Sequence, residues 1–457
     1  MIIKAGGGNE TKVTSLNPNR HRIPSLKNRN AHTNPSETTT NSLFPYNTLS
    51  PPPSYHSTFY DYNTHPIIYM PTLPLPPPTA SPSSSSLYYP HLRPLKEIYT
   101  EWPQHDLRRS NNPPPPHKEY LKVFDFSVPS ERKEALKYRQ MELPFKVRNV
   151  KEIDEAVLKW SDPNYLLGKL ERNKNLRGKE ESSVSYSVDA APTSLFTWYD
   201  HRRVKPYINS GLPNASTYKE PHKPSSMSAT EYFKHAIIKG DWENKITPDS
   251  PSYYLQLGVN GINQKKTKSH SNTFIHTDLP SFITPPSNFF VFDFTLNKGV
   301  QCRLGTKHTT AAAHYDNGRN MIALISGSKR YVLLPPKECK NLSVVKIKEH
   351  PSRRHVLLDF KDILEDIDGM EEARESFGVD TIVKAGEVLY VPSRWFHYIT
   401  SLQFSVQCNS RSGANLAEEE EGWDNEEFRM KGGGEDFGRA STKLYGGAKV
   451  INQCVDW

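Results

Sequence analysis

The chain has 457 residues, a formal net charge of +8 and 35% hydrophobic residues, an apolar share below that of an average globular domain. More than half of the 38 prolines precede position 117, so the polar excess belongs to one end and the remainder can still bury a core. No apolar run approaches membrane-spanning length and no secretory apolar core follows Met1, so we expect a cytoplasmic or nuclear protein.

Residues 1–118 are predicted to form a disordered arm rich in Pro, Ser, Thr and Asn. Its low-complexity runs are Pro51–Pro53, Pro76–Pro78, Ser83–Ser86 and Pro113–Pro116, with isolated aromatic residues between them. Such a composition buries too little apolar surface to offset chain entropy. The stretch Pro74–Pro78 could bind an SH3- or WW-type domain as a polyproline helix, and a plain linker is the alternative.

Three helices are predicted next, which assigns residues 119–250 to a helical N-terminal flank. Their ranges are Glu131–Met141 after Ser130 as N-cap, a stretch capped by Asn149 with Glu152, and Ser228–Gly240. The second helix has the clearest signal, because its apolar residues recur at helical spacing. These residues are Ile153, Ala156, Val157 and Trp160.

From Tyr253 onward the apolar period changes to two, which is typical of strands. The predicted strands are Tyr253–Leu257, Phe289–Thr295, Met321–Ile325, Lys329–Leu334, Val388–Pro392 and Phe404–Cys408. The dipeptide Gly327-Ser328 suits a two-residue hairpin turn. An acidic helical insertion is expected around Asp359–Phe377.

Helices followed by many antiparallel strands predict a mainly β fold, a double-stranded β-helix (jelly roll) with flanking N-terminal helices. The jelly-roll core is assigned to residues 251–415 and an acidic, glycine-rich tail to residues 416–457. The cysteines contain no Cys-x-x-Cys pair, so we expect free buried thiols. Cys302 and Cys408 lie in similar tripeptides and are expected to be neighbours.

One group of residues has the composition of a metal-binding site. His314 and Asp316 are two residues apart and so share a face of a strand, and His397 follows far along the chain. Two imidazoles and one carboxylate suit Fe(II), because three coordination positions stay open for a bidentate co-substrate and for O₂. The alternative is that these are ordinary hydrogen-bonded histidines in a chain with 17 of them. Three other histidines lack ligand spacing: His276, His308 and His355.

Lys329 is the second candidate. It falls in a predicted strand just after the tight turn, with Tyr331 and Leu333 on its own face. A lysine pointing into a barrel needs an anion, because an unpaired buried ammonium is costly. The distal carboxylate of 2-oxoglutarate would supply one; the alternative is a lysine facing solvent at a hairpin edge.

These residues lie in blocks that resemble the JmjC-type, cupin-like family of Fe(II)/2-oxoglutarate-dependent oxygenases, roughly from Leu143 to Gly413. The matching segments are Tyr254–Gln256, Asp278–Pro280, Gly305, His314–Asp316, Asn320, Gly327–Tyr331, Pro335-Pro336, His350-Pro351 and Ala385–His397. The resemblance implies that His314, Asp316 and His397 hold iron. It also implies that Lys329 binds the far carboxylate of 2-oxoglutarate.

Three further residues match co-substrate positions of the family. Tyr254 corresponds to a tyrosine that reaches the far carboxylate, and Asn320 and Asn409 to polar residues near its other end. One position differs from the family pattern: Ala311 stands where the family often has threonine. Thr310 would replace that threonine only if a bulge turned its side chain to the other face of the strand.

The resemblance implies a dioxygenase that oxidises 2-oxoglutarate to succinate and CO₂ while hydroxylating a C–H bond, with a protein side chain as the expected substrate. A catalytically silent cupin used as an interaction module is the alternative, motivated by Ala311. A histone demethylase would bring reader or zinc modules that are missing here. An RNA hydroxylase needs a basic groove, which the scattered charge does not demonstrate, so nucleic acid is not the expected partner and no membrane partner is expected.

Overall fold

The computed structural model describes residues 61–103, 114–171, 185–191, 194–196, 223–241, 252–259, 272–283, 289–291, 299–346, 352–367, 370–412 and 443–455. All of them belong to one compact unit, Ser57–Trp457. The arm before residue 61 and the acidic stretch at residues 413–442 lie outside the described residues.

The helices are α1 Leu95–Glu101, α2 Pro129–Gln140, α3 Lys151–Trp160, α4 Pro163–Glu171, α5 Ala229–Asp241, α6 Phe274–Asp278, α7 Glu371–Arg374 and α8 Ala448–Val455. Short 3-10 helices cover Pro82–Leu87, Pro280–Phe282, Pro336–Asn341 and Phe360–Asp362. The strands are β1 Ile67–Tyr69, β2 Arg93–Pro94, β3 His117–Glu119, β4 Val123–Asp125, β5 Phe145–Arg148, β6 Ser185–Ala191, β7 Leu195–Phe196, β8 Lys223–Ser228, β9 Ser252–Val259, β10 Val300–Gly305, β11 Thr310–Tyr315, β12 Arg319–Ser326, β13 Ser328–Leu334, β14 Phe377–Lys384, β15 Val388–Val391, β16 Phe396–Ser401 and β17 Ser405–Ser412.

The eight strands β10 to β17 divide between two facing sheets, which confirms the predicted double-stranded β-helix. A nine-stranded sheet has the order β4-β5-β15-β12-β17-β10-β9-β6-β8, and a six-stranded sheet has the order β2-β14-β13-β16-β11-β7. Strands β10 to β13 alternate between the sheets, so the chain winds around a central cavity. A separate two-stranded sheet pairs β1 with β3.

The predicted hairpin at Gly327-Ser328 is wrong. Strand β12 pairs with β15 and β17, whereas β13 pairs with β14 and β16 in the other sheet, so the turn is a corner between sheets. Gly327 has a φ of +72° there, and a Cβ at this position would collide with the carbonyl oxygen of Phe404. Glycine is therefore required both by its backbone conformation and by the close approach.

The predicted helices of the flank are present, although two N-caps differ, because α2 is capped by Val128 and contains the predicted cap Ser130. Helix α3 buries Ile153, Ala156 and Trp160, as the apolar spacing predicts. Its N-cap is Val150; Asn149 has a φ of 58° and instead donates a hydrogen bond to Asp125 at 2.6 Å. Within the described residues, none of the helices is both long enough and apolar enough to cross a bilayer.

Two other predicted elements need correction. In the described part of the insertion at Asp359–Phe377, the helical structure is limited to a 3-10 turn and the one-turn helix α7, and Phe377 already begins β14, a strand absent from the prediction. The described part of the predicted strand Phe289–Thr295 is not a strand. Its two phenylalanines instead pack against Phe126, and positions 292–298 lie outside the described residues.

The boundary of the predicted arm at residue 118 is also wrong, because residues 61–103 contain β1, β2 and α1 and contribute to the core. The aromatic residues between the prolines account for this, since they are buried side chains. They are Tyr62, Tyr89, Tyr99 and Trp102. Within the stretch Pro74–Pro78, Leu75 packs against the core and Pro76 is buried, so an SH3- or WW-type partner would have to displace these contacts.

Buried ion pairs attach this N-terminal segment to the outer face of the six-stranded sheet. Arg330 donates two hydrogen bonds to Asp380, at 2.8 and 3.2 Å. Arg93 lies 3.4 Å and His117 3.1 Å from the same carboxylate. Removing one member of such a cluster leaves uncompensated buried charge.

The C-terminal residues and the cysteines also differ from prediction. Helix α8 packs on the 3-10 helix Pro336–Asn341, with Ile451 and Cys454 buried, so the predicted tail at residues 416–457 ends in a docked helix. All four cysteines are disulfide-bonded, as Cys302–Cys408 and Cys339–Cys454. The first pair confirms that Cys302 and Cys408 are neighbours and contradicts the expectation of free thiols.

Candidate metal centre

The candidate centre is built on a cross-strand pair in the six-stranded sheet. His314 on β11 lies directly opposite His397 on β16, and side chains of such pairs point to the same face. Asp316 follows His314 by two residues, just past the end of β11. One potential ligand atom of each residue lies within 4.8 Å of the others. The structure thus brings together the three predicted ligands.

Both imidazoles are oriented by their own strands. Nδ1 of His314 donates to the carbonyl of Ala312 at 2.7 Å, and Nδ1 of His397 to the carbonyl of Trp395 at 3.0 Å. These bonds assign the proton to Nδ1 and leave Nε2 as the lone-pair atom. Burial lowers the pKa of both histidines, which keeps the rings neutral as metal ligands must be.

Asp316 is held as a carboxylate. Burial alone would raise its pKa, but Arg411, His397 and His314 together hold it well below its usual range. Arg411 places a guanidinium nitrogen 3.0 Å from Oδ2 of Asp316. This buried oxygen nevertheless makes no hydrogen bond within the described residues.

Lys329 lies on the same face of the sheet as the three ligands. On β13, Leu333 is opposite His397, Tyr331 is opposite Ile399 and Lys329 is opposite Ser401. The lysine side chain is 3% exposed, and within the described residues its ammonium has no hydrogen bond or ion pair. Burial, with a contribution from nearby Arg303, lowers the pKa of Lys329 to about 7. The alternative of a solvent-facing lysine is therefore wrong.

The facing side of the nine-stranded sheet is polar. By register, Arg303 on β10, Asn409 and Arg411 on β17 and Asn320 on β12 share one face. Arg303 donates a hydrogen bond to Asn409, whose amide donates to Asn320 at 3.0 Å. Across the cavity, the hydroxyl of Tyr331 donates to Gln407 at 2.8 Å.

Tyr254 belongs to the same polar face, since it is opposite Gly305 on β10. Burial raises its pKa, and the guanidiniums of Arg303 and Arg411 oppose that rise. The predicted co-substrate residues Tyr254, Asn320, Lys329 and Asn409 therefore all line the space between the two sheets. Their roles toward a co-substrate stay predictions.

Ala311 occupies the cavity face. It lies opposite Ile399, which is two residues from His397 on β16. A bulge between Ala311 and His314 preserves this face despite the odd spacing. Thr310 lies opposite Thr400 and faces away from the cavity. The hydroxyl that the family often has at this position is therefore absent, and Thr310 does not replace it.

His355 was not predicted to be a site residue; it was expected to be a surface histidine or one with ordinary hydrogen-bond partners. Its ring stacks on His314 with centroids 4.9 Å apart, and it is 6% exposed. The segment after Ser352 runs beside β11, where Val356 donates to the carbonyl of Ala313 at 2.8 Å. Arg303 and Arg411 were also missed. Arg303 is brought in by strand pairing and has no local spacing signal, whereas Arg411 lies two residues after Asn409 and so shares its face of β17.

Comparison with known families settles the classification. The family described as cupin-like domain matches residues 131–412, well over half of the chain. The chain belongs to the cupin-like family. This JmjC-related group comprises Fe(II)/2-oxoglutarate-type oxygenases, and the His-Asp-His cluster of this cupin-like chain agrees with that membership.

Individual relatives match over shorter stretches. Lysine-specific demethylase JMJ30 of Arabidopsis thaliana is 31% identical over 36% of this cupin-like chain and 34% of its own length. The tRNA wybutosine-synthesizing protein 5 of Danio rerio is 30% identical over 39% of the chain and 50% of its own length. JmjC domain-containing protein D of Dictyostelium discoideum is 29% identical over 24% of this chain and 24% of its own length. The chain thus covers half or less of the length of these relatives.

The residues present fit a divalent iron. The donor set is two neutral imidazole nitrogens and one carboxylate oxygen on a single face, which is the arrangement Fe(II) oxygenases use. The buried Asp316 oxygen without a hydrogen bond is an available ligand atom. The unpaired ammonium of Lys329 in the same cavity is available to a carboxylate.

Proposed function

We propose that this cupin-like chain is an Fe(II)- and 2-oxoglutarate-dependent hydroxylase. The observation that carries the proposal is the buried ammonium of Lys329, which has no anionic partner within the described residues and shares a cavity face with His314 and His397. A buried cation without a counterion is costly, so its retention favours a ligand that supplies the anion. A dicarboxylate that reaches from the metal to Lys329 meets this need.

Each protein group then has a defined task. Bound Fe(II) would supply O₂ activation coupled to oxidation of 2-oxoglutarate to succinate and CO₂, with hydroxylation of a substrate C–H bond. His314, Asp316 and His397 would hold the ion and leave half its coordination sphere open. Lys329, with Tyr254, would bind the far carboxylate. Asn320 and Asn409, already hydrogen-bonded to each other, would border the other end.

Anaerobic titration of the full chain tests this proposal. We expect Fe(II) with 2-oxoglutarate to give the visible charge-transfer band of a chelate, and succinate to form once O₂ is admitted. His314→Ala should lose both the metal and the band, whereas His276→Ala, at an exposed histidine on α6, should keep them. A protein that retains iron but neither binds 2-oxoglutarate nor forms succinate would contradict the proposal.

A catalytically silent cupin is a second candidate, favoured by the apolar Ala311 on the cavity face. It predicts a protein that binds metal and gives no chelate band with 2-oxoglutarate. The same titration therefore separates the two candidates. The expected protein side-chain substrate is a finer question that this experiment leaves as a prediction.

A further inference from the structure

The turn between β15 and β16 supports two of the three candidate metal ligands. The backbone N–H of Arg394 in this turn donates to the carbonyl of Asp316 at 2.8 Å. The next residue, Trp395, accepts the hydrogen bond from Nδ1 of His397 with its carbonyl oxygen, at 3.0 Å. The position of Asp316 and the ring orientation of His397 therefore depend on the conformation of residues 392–395.

This turn contains a strained residue and needs support from its surroundings. Arg394 has a φ of 63°, in the left-handed region that residues other than glycine rarely adopt. Such a conformation persists where neighbouring structure holds it in place. Part of that support comes from Trp395, whose buried indole packs against the ring of Tyr445 with centroids 6.0 Å apart.

Tyr445 belongs to residues 443–455, which we name the C-terminal segment. This segment lies outside the span of the family match, residues 131–412. Its residues Leu444 and Tyr445 are both buried, and the hydroxyl of Tyr445 donates to the carbonyl of Tyr89 at 2.9 Å. A segment from outside the cupin-like domain therefore packs against the turn beside the ligands.

The C-terminal segment is attached to the 3-10 helix Pro336–Asn341 at two points. The disulfide between Cys339 and Cys454 joins helix α8 to it. Ahead of α8, Gly446 has a φ of +84° and lies so close to the 3-10 helix that an added Cβ would be 2.9 Å from the backbone nitrogen of Lys337. The disulfide is thus the covalent part of the attachment that keeps Tyr445 in place.

The two disulfides differ in how easily a reductant can reach them. Cys302 and Cys408 lie on neighbouring interior strands, β10 and β17, and are 0% exposed. Cys454 is 8% exposed on α8, in whose described part the other buried side chain is Ile451. A thiolate must reach a sulfur atom to break the bond, so we expect the disulfide with Cys339 to be reduced first.

We propose that Tyr445 is a positioning residue for the candidate metal centre and that the Cys339–Cys454 disulfide makes this support sensitive to redox conditions. A dithiol donor reduces the disulfide in two steps. One thiolate breaks the S–S bond and forms a mixed disulfide, and the second thiol of the donor then displaces the protein sulfur. Two electrons and two protons pass to the protein, which leaves two cysteine thiols and the cyclic disulfide of the donor.

Reduction releases α8, and Tyr445 then no longer holds Trp395 in the turn. The proposal deepens the proposed function, on which it rests for the identity of the metal centre, because it concerns the regulation of that same site. The support of the turn itself can be measured without metal or co-substrate, so the two proposals can fail separately.

Amide hydrogen exchange on the metal-free full chain, with and without dithiothreitol, tests the redox part. After reduction we expect the amide of Arg394 to exchange about tenfold faster. Alkylation of the same samples, followed by mass spectrometry, should label Cys339 and Cys454 while Cys302 and Cys408 stay protected. The matched control combines Cys339→Ala with Cys454→Ala; its turn should exchange at the fast rate whether or not the reductant is present.

Titration with Co(II), followed by the visible band of the bound ion, tests the positioning role. Tyr445→Leu removes the ring and should weaken Co(II) binding about tenfold and alter the shape of the band. Tyr445→Phe keeps the ring against Trp395 and should bind Co(II) within twofold of the wild-type protein. The control for loss of a buried tyrosine is Tyr62→Leu, in a separate cluster with Trp102, which should leave the Co(II) affinity unchanged.

Three results would overturn the proposal. These are free thiols at Cys339 and Cys454 in the unreduced protein, an unchanged exchange rate of the turn after reduction, or an equal loss of Co(II) affinity in Tyr445→Leu and Tyr62→Leu. If Tyr445→Leu does not fold, the exchange rates of the wild-type protein decide. A turn that responds to reduction in a protein that gives no chelate band with 2-oxoglutarate would reject the proposed function alone.

Discussion

Replacing Lys329 by methionine should stabilise the protein while abolishing co-substrate binding. Burial lowers the pKa of this lysine from 10.5 to about 7, whereas in the unfolded chain it keeps its ordinary value. The unfolded state therefore binds the proton more tightly, and the wild-type free energy of unfolding rises as pH increases from about 7 toward 10.5. Methionine has a side chain of similar length but no ionisable group, so the contribution of Lys329 to the pH dependence of stability is lost.

The size of the effect follows from the same pKa shift. Relative to an uncharged side chain, the lysine lowers the free energy of unfolding by about 4 kcal/mol at pH 7 and by about 2 kcal/mol at pH 9. We expect Lys329→Met to exceed the wild-type protein by about these amounts, with a Tm several degrees higher at pH 7. The exposed Lys340, substituted in the same way, should give no change.

Urea denaturation at the two pH values, in the absence of 2-oxoglutarate, measures the difference. A parallel thermal scan with Mn(II) should show stabilisation by 2-oxoglutarate in the wild-type protein and none in the variant. If Lys329→Met is less stable than the wild type at pH 7, or if the gap is the same at both pH values, the reasoning about the uncompensated ammonium is wrong.

Three further substitutions test other parts of the structure. Ala311→Thr adds a hydroxyl on the cavity face and should tighten 2-oxoglutarate binding about fivefold, measured by calorimetry with Mn(II); unchanged affinity would mean that this face does not touch the co-substrate. Gly327→Ala should cost about 2 to 5 kcal/mol in urea denaturation, whereas Gly168→Ala in α4, where an added Cβ meets nothing within 4 Å, should stabilise by up to about 1 kcal/mol. Asp380→Asn should cost about 3 to 5 kcal/mol, and a smaller loss than that of an exposed Asp162→Asn control would refute the account of the buried cluster.

The sequence indicated the candidate metal ligands through the local spacing of His314 and Asp316 and through the family resemblance around His397. His314 and Asp316 are two residues apart, which places their side chains on one face of a strand. His397 lies on β16, which pairs directly with β11. His355 has no such signal, because a single bridge at the end of β11 places it against His314. Contacts of this kind leave no periodicity in the sequence.

The fold, like the candidate site, was predicted from the sequence in some parts and missed in others. Period-two runs identified four of the eight jelly-roll strands, namely β12, β13, β15 and β17. The sheet to which each strand belongs depends on strand pairing, which is why the corner at Gly327 was taken for a hairpin. The structure of residues 61–103 was missed because prolines dominate the average composition of the predicted arm, while Tyr89 and Trp102 supply buried surface at isolated positions. The neighbouring cysteines were found from similar tripeptides, but their oxidation state is not encoded in that pattern.

The N-terminal segment has a practical consequence for anyone who produces this protein in recombinant form. Strand β2 is the outermost strand of one sheet and β4 the outermost strand of the other. A fragment trimmed to residues 131–412, the span of the family match, would lack both and would leave two unprotected backbone edges open to intermolecular pairing. We expect that fragment to aggregate, and one that starts near residue 61 and keeps the C-terminal helix to remain monodisperse.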